Sequence, residues 1–192
     1  RRQRQMCIRD RFTTMQPKHL NLQILSEQVD LHSFNCGDED LNDFLINNAY
    51  QSMMHRMSLT YILKENEQVV AYFSLLFDKI SKEDTRNTTS FIEFKSNKGL
   101  IMEGKDFKSY PSLKVGRLGV NISCQKRQLG HLILDYIKRL TLTQQLAGCR
   151  FITVDAYRTA FTFYEKNGFE YLTLKDVNDH TRLMYYDLYR LL

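Results

Sequence analysis

The 192-residue sequence contains no tryptophan, two prolines and eight glycines. It is therefore neither collagen-like nor low-complexity, and few positions force a break in the chain. Its most apolar stretch, Val69 to Phe77, falls far short of the roughly 20 residues that a helical membrane span needs. Cys7, Cys36, Cys124 and Cys149 have no paired spacing, so neither a disulfide framework nor a zinc ribbon is expected. His19, His32, His55 and His180 are scattered and predict no metal site. No charged-apolar-small signal pattern is visible, which makes a cytoplasmic protein the expectation. One further absence bears on chemistry. From Tyr110 to Gln128 there is no Asp, Glu or His, so a strand there offers no carboxylate or imidazole to accept a proton.

What is present suits one α/β domain able to bury a sizeable core: 43% hydrophobic, 12% aromatic and 26% charged residues. The net charge of +5 is unevenly spread, at +4 over residues 1–14, −4 over 15–110, +6 over 111–150 and −1 over 151–192. The opening stretch lacks periodicity, and Gln5 to Asp10 resembles translated sequencing-adapter sequence. Residues 1–14 are therefore read as a non-native or disordered tail, with Met15 as a candidate initiator. The alternative is an arginine-rich arm for nucleic acid. With the tail set aside the charge is nearly balanced, and the basic excess is local to 111–150.

Hydrophobic periodicity predicts the order β-α-β-β, an irregular middle, then β-α-β-α-β-β. Leu20, Leu22 and Ile24 alternate as in a strand. Asp38 is a candidate N-cap for a helix with Leu41, Phe44, Leu45 and Asn48 on one face. Leu59–Leu63 and Gln68–Phe77 read as strands joined at Glu65-Asn66-Glu67. Residues 78–110 read as an insertion with a helix around Phe91–Ser96. Strands follow at Leu113–Val120, Phe151–Val154, Phe169–Leu174 and Leu183–Leu188. Helices are expected at Gln128–Leu146, with Gly148 as C-cap, and at Thr159–Lys166, stopped by Asn167-Gly168.

Two motifs carry the chemistry. Between strand 113–120 and the long helix lies Gln125-Lys126-Arg127-Gln128-Leu129-Gly130. A helix start leaves about four backbone N–H groups unpaired, and its dipole favours an anion. With Gly130 allowing close approach and Lys126 and Arg127 adding charge, this is a cradle for an anion such as a diphosphate. It lacks the glycine spacing of a P-loop or a dinucleotide fingerprint. The second motif is Phe161-Thr162-Phe163-Tyr164-Glu165-Lys166-Asn167-Gly168-Phe169. Taken alone it is a short helix with an aromatic core face.

Together, in this order, the two motifs resemble the GNAT superfamily of acyl-CoA-dependent N-acyltransferases. That family's Gln/Arg-x-x-Gly-x-Gly/Ala is matched by Gln125 and Gly130, while Gln128 stands where glycine is usual. Phe163, Tyr164, Gly168 and Phe169 match the second pattern, but Tyr157 replaces the asparagine often found seven residues before the tyrosine. The resemblance implies a mixed α/β (α+β) GNAT fold. Its central sheet is mostly antiparallel with one splayed parallel pair, and helices cover both faces. It makes residues 15–192 one acyl-CoA N-acyltransferase domain with acetyl-CoA as cosubstrate and no metal. It implies that Leu118, Gly119 and Val120 hold the pantetheine arm and polarise the thioester carbonyl. Gln125, Lys126, Arg127, Gln128, Leu129, Gly130, His131 and Phe163 are implied as further cofactor contacts. Tyr164 is implied as the general acid that protonates the departing thiolate.

Phe34-Asn35-Cys36-Gly37, Leu41-Asn42-Asp43-Phe44-Leu45 and Val115-Gly116-Arg117-Leu118-Gly119-Val120 are similar to one GNAT subgroup. It includes toxins that acetylate the α-amine of aminoacyl-tRNA and pair with ribbon-helix-helix antitoxins. An α-amine, pKa about 7.7–8.0, is partly neutral at pH 7 and depends less on a base than a lysine amine does. The excess of positive charge over 111–150, with Arg117, Lys138, Arg139 and Arg150, fits a tRNA acceptor stem. The alternatives are a small-molecule or protein N-acetyltransferase, or a non-catalytic CoA- or partner-binding module. Homodimers are common in the family, and no membrane partner is implied.

Overall fold

Seven strands form one sheet in the computed structural model, which describes residues 20–144, 147–173 and 176–192. They are β1 (Leu20–Ile24), β2 (Leu59–Glu65), β3 (Gln68–Ser81), β4 (Ser109–Val120), β5 (Phe151–Tyr157), β6 (Glu170–Tyr171) and β7 (Thr181–Asp187). Their order across the sheet is β1-β2-β3-β4-β5-β7-β6. Only the β4–β5 pair is parallel. Five helices accompany them: α1 (Glu39–Asp43), α2 (Ala49–Met54), α3 (Thr88–Asn97), α4 (Leu129–Thr143) and α5 (Phe161–Lys166). No helix among the described residues is long and apolar enough to cross a membrane.

The period of two along each strand sends neighbours to opposite faces. On the first face Ile62 and Tyr72 pack with Leu45, Ala49, Leu25 and Phe34. On the second, Leu63, Phe73, Leu75 and Val115 pack against Ile133, Ile137 and Leu140 of α4. Each such side chain, fully buried, contributes about 1.5–3 kcal/mol of transfer free energy. Helices thus cover both faces of a mixed, mostly antiparallel sheet, as expected.

The stretch 78–110 is more regular than its composition suggests. β3 runs on to Ser81 and β4 begins at Ser109, the two pairing from Ala71 opposite Val120 to Ser81 opposite Ser109. Phe91 and Phe94 of α3 join Ile80, Leu100, Tyr110, Phe151 and Tyr185 in a third core cluster on the first face. Charged residues masked this in the sequence because α3 buries only one narrow face.

Other boundaries move for local reasons. Asn48 is exposed rather than on the buried face, because a π-helical turn at Phe44–Asn48 advances the register and Ala49 becomes the inward residue. β5 extends past Val154 to Tyr157 through its pairing with β7. α4 ends at Thr143 with Gln144 as its C-cap, so Gly148 does not cap it. The expected end of that helix at Leu146, the end of a strand at Leu174, and the tail with Met15 and His19 lie outside the described residues.

The segment joining β4 to α4 is tied at several points. Asn121 accepts the Ser123 N–H at 3.2 Å and donates its own N–H to Val70 O at 2.9 Å. Gln128, the N-cap of α4, is held at φ 62°, ψ 15°, and Lys126 at φ 65°. The left-handed region disfavours side chains with a Cβ by about 1–2 kcal/mol. That conformation is the physical reason a glycine is usual at the Gln128 position. Gln128→Gly is expected to raise the melting temperature by about 1–3 °C, the relief being partly offset by glycine's greater freedom in the unfolded chain. Thermal unfolding followed by circular dichroism checks this, and a lowered Tm would show that the left-handed turn carries no strain.

Candidate active site

The parallel ladder between β4 and β5 is short, with Ser112, Leu113 and Lys114 opposite Phe151, Ile152 and Thr153. Beyond it the strands part. On the β3 side, Ser74 pairs with Arg117 and Leu75 with Val115, so Gly116 is the extra residue of a β-bulge. A bulge bends its strand and increases its twist, and here it turns β4 away from β5. At the bulge the Leu76 side chain lies over Gly116, where an added Cβ would come within 2.8 Å of Leu76 Cδ2 and move that side chain. Both strands keep their outer partners, β3 and β7, so the gap stays open without collapse.

A cavity of about 1030 Å³ occupies that gap. Val115 to Val120 line one wall, and Val154 to Tyr157 the other. The α4 start closes one end, and Phe163 and Tyr164 of α5 sit beside it. Of the residues expected at the site, Leu118, Gly119, Val120, Gln125, Lys126, Gln128, Leu129, Gly130, His131, Phe163 and Tyr164 all line this cavity.

Arg127 does not. Its guanidinium makes a two-point ion pair with Glu65 of β2, at 2.7 and 2.8 Å, which straps the loop to the sheet. The expectation that Arg127 serves the cradle is therefore corrected, and Lys126 is the basic side chain of this loop that faces the cavity. Gln125 is also a fastener, donating to Cys36 O at 3.0 Å and Val120 O at 3.3 Å. No side chain caps the first turn of α4 at Gln128, so its N–H donors stay available to an anion.

Gly130 has a second reason to lack a side chain. A Cβ there would meet the Phe163 ring at 2.9 Å, so glycine lets α4 and α5 touch. His131, one residue on, bonds through Nδ1 to Asn167 Oδ1 at 2.9 Å and packs edge-on against Phe163. Asn167 Nδ2 donates to Phe163 O at 2.7 Å. That leaves Asn167 Oδ1 as an acceptor, so His131 carries its proton on Nδ1.

Tyr164 is 6% exposed, with its ring wedged between Phe163 and Phe169 at centroid distances of 5.0 and 5.3 Å. Burial drives its pKa well above the ordinary tyrosine value, so the phenol keeps its proton at neutral pH. It lines the cavity and is thus a positioned O–H donor.

The local excess of positive charge reads differently in three dimensions. Lys138 is buried, donating to Asn167 O at 3.0 Å and lying over Tyr186. Arg150 grips Asp187 at 2.7 and 3.1 Å. Lys114 pairs with Asp155 at 2.6 Å, and Arg117 with Asp40 at 3.6 Å. Most of these cations hold the fold together, and Arg139 stays exposed. An extended basic surface built from Lys138 and Arg150 is therefore absent among the described residues.

Two carboxylates reach the cavity from outside the central strand: Asp38, which caps α1 by accepting the Leu41 N–H at 3.0 Å, and Asp155 on β5. Extending that strand to Tyr157 in the sequence reading places Asp155 on the same face as Thr153 and Tyr157.

Comparison with known proteins gives the same picture. Residues 26–189 match the Acetyltransferase (GNAT) domain family. The chain is similar to AtaT complexed with acetyl-methionyl-tRNAfMet, at 25% identity and TM-score 0.72, over 90% of this chain and 96% of that one. It is similar to a tyrosine-to-phenylalanine mutant of KacT at 20% identity and TM-score 0.72, over 91% of this chain and 100% of the other. A third likeness is to a tyrosine-to-phenylalanine mutant of the AtaT toxin bound to the C-terminus of the antitoxin AtaR and acetyl-CoA. There the identity is 23% and the TM-score 0.67, over 90% and 96% of the two chains. Motifs, sheet topology and matched span agree, and the chain belongs to the GNAT acetyltransferase family.

Proposed function

We propose that this acetyltransferase moves the acetyl group of acetyl-CoA directly onto a primary α-amine, with aminoacyl-tRNA as the favoured acceptor. The observation that carries the reading is convergence on one cavity. The opened parallel pair, the uncapped start of α4 and the buried Tyr164 phenol all meet there. The diphosphate of acetyl-CoA fits the α4 N-terminus beside Lys126, where N–H donors and the helix dipole favour an anion. Backbone N–H groups of Leu118 to Val120, freed from a β5 partner, suit the pantetheine amides and the thioester oxygen. Tyr164 gives its proton to the sulfur as the C–S bond breaks. Its raised pKa keeps that proton in place until negative charge develops on the thiolate.

Support for the tRNA acceptor comes from the likeness to AtaT in complex with acetyl-methionyl-tRNAfMet. An α-amine is partly neutral near pH 7, so a weak base such as a cavity carboxylate is enough to take its proton. Net local charge lends little, since the cations of 111–150 are largely paired internally. On the same reading the protein pairs with a small ribbon-helix-helix antitoxin and forms a homodimer.

Thiol release from acetyl-CoA, measured with aminoacyl-tRNA, an N-terminal peptide and spermidine, tests the acceptor. Release with charged tRNA far above the others is the expected result. Release only with peptide or polyamine would instead assign a protein or small-molecule acetyltransferase. Release with none would leave a CoA-binding module.

Tyr164→Phe is expected to cut kcat about 10²–10⁴-fold, the usual worth of a positioned proton donor, while acetyl-CoA affinity by calorimetry stays near wild type. Unchanged turnover would remove Tyr164 from the chemistry.

A further inference from the structure

Two carboxylates reach the cavity among the residues that line it, and they differ in what they do. Asp38 is spent on the α1 cap. Asp155 pairs with the Lys114 ammonium at 2.6 Å, and both residues line the cavity. The pair sits where the parallel ladder ends, since Lys114 is its last β4 residue and Asp155 lies two residues beyond Thr153 on β5.

The two faces of the sheet divide the chemistry. Val115, Val154 and Ala156 point into the second-face core, together with Tyr164. Alternation then puts Asp155 on the first face, level with the gap. A proton donor and a carboxylate thus flank the opening between the strands from opposite sides. An acceptor arriving from the first face meets Asp155, and a thiolate leaving on the second meets Tyr164. Asp155 is also accessible, its side chain being 49% exposed against 25% for Lys114. A carboxylate paired with a primary ammonium inside an amine-acetylating cavity already holds the chemical group that the substrate brings.

We propose that Asp155 receives the acceptor amine and takes its proton, and that Lys114 occupies that place until the acceptor displaces it. This rests on the acetyltransfer reading above. In the step, the amine nitrogen bonds to the acetyl carbon and the carbon–sulfur bond breaks. The nitrogen's extra proton passes to the Asp155 carboxylate and on to water. The Tyr164 proton goes to sulfur and is replaced from solvent, so the products are the amide and free CoA thiol.

The test uses the full chain with acetyl-CoA and the same three acceptors. Asp155→Asn is expected to lower acceptor kcat/KM about 10²–10³-fold, while acetyl-CoA affinity stays unchanged. Asp155→Glu should recover part of the rate, which a purely structural carboxylate at this mouth would not require. Lys114→Gln should lower acceptor KM and keep kcat, because the competitor is gone. Wild-type kcat/KM in Asp155→Asn, or an equal loss of acetyl-CoA binding, overturns the assignment while wild-type turnover preserves the acetyltransfer reading. A kcat in Lys114→Gln as low as in Asp155→Asn overturns the placeholder role. No thiol release by wild type with any acceptor overturns the acetyltransfer reading, and this inference with it.

Discussion

The structure depends on one local misfit between two strands. A parallel ladder that ended in register along its whole length would leave no space between β4 and β5. The extra residue at Gly116 prevents that by bending β4 away from β5, with the Leu76 side chain packed over the glycine. The proposed site is built around that bend. The bend leaves the backbone of Leu118 to Val120 without a β5 partner and lining the cavity, which Tyr164 and Asp155 also line. The outer edges of both strands stay paired with β3 and β7, while the groups that face the gap remain open to a ligand.

Ion pairs serve this design as fasteners more than as a surface field. Arg127 pins the β4–α4 loop to Glu65, and Arg150 joins the start of β5 to Asp187. Asp187 is buried, and removing one partner of such a pair leaves a charge without compensation, a loss of about 3–5 kcal/mol. Arg127–Glu65 is more exposed and weaker, so its role is geometric. Lys138 shows how far composition misleads. It contributes to the apparent basic stretch, yet its ammonium is buried against the carbonyl of Asn167 and the ring of Tyr186. Charge counted along the chain says nothing about which charges meet each other.

Much of the fold was legible in the sequence. Strand alternation in Leu20–Ile24 and Gln68–Phe77, the amphipathic stripe of α4 and the Asn167-Gly168 stop each follow from side-chain period or backbone preference, which are local properties. The parts that were not legible are those decided at a distance. The π turn at Phe44–Asn48 is one, since packing of Ala49 selects its register. The extension of β3 and β4 beyond Phe77 and Leu113 is another, because mutual pairing stabilises segments whose own pattern is weak. In the site, the motifs located eleven cavity-lining residues but misassigned Arg127, whose partner lies on β2. Asp155 was overlooked because its strand was drawn too short.

The contact between α4 and α5 has a consequence of its own. Gly130 lies against Phe163, His131 is bonded to Asn167, and Lys138 reaches the same Asn167 from two turns further along α4. On the proposed reading, the helix start that takes the diphosphate and the tyrosine that serves the sulfur atom are therefore joined by direct contacts. Such a unit would act as a ruler. It would set the span between the two ends of the carrier molecule, so that the length of the arm would be selected alongside its charge.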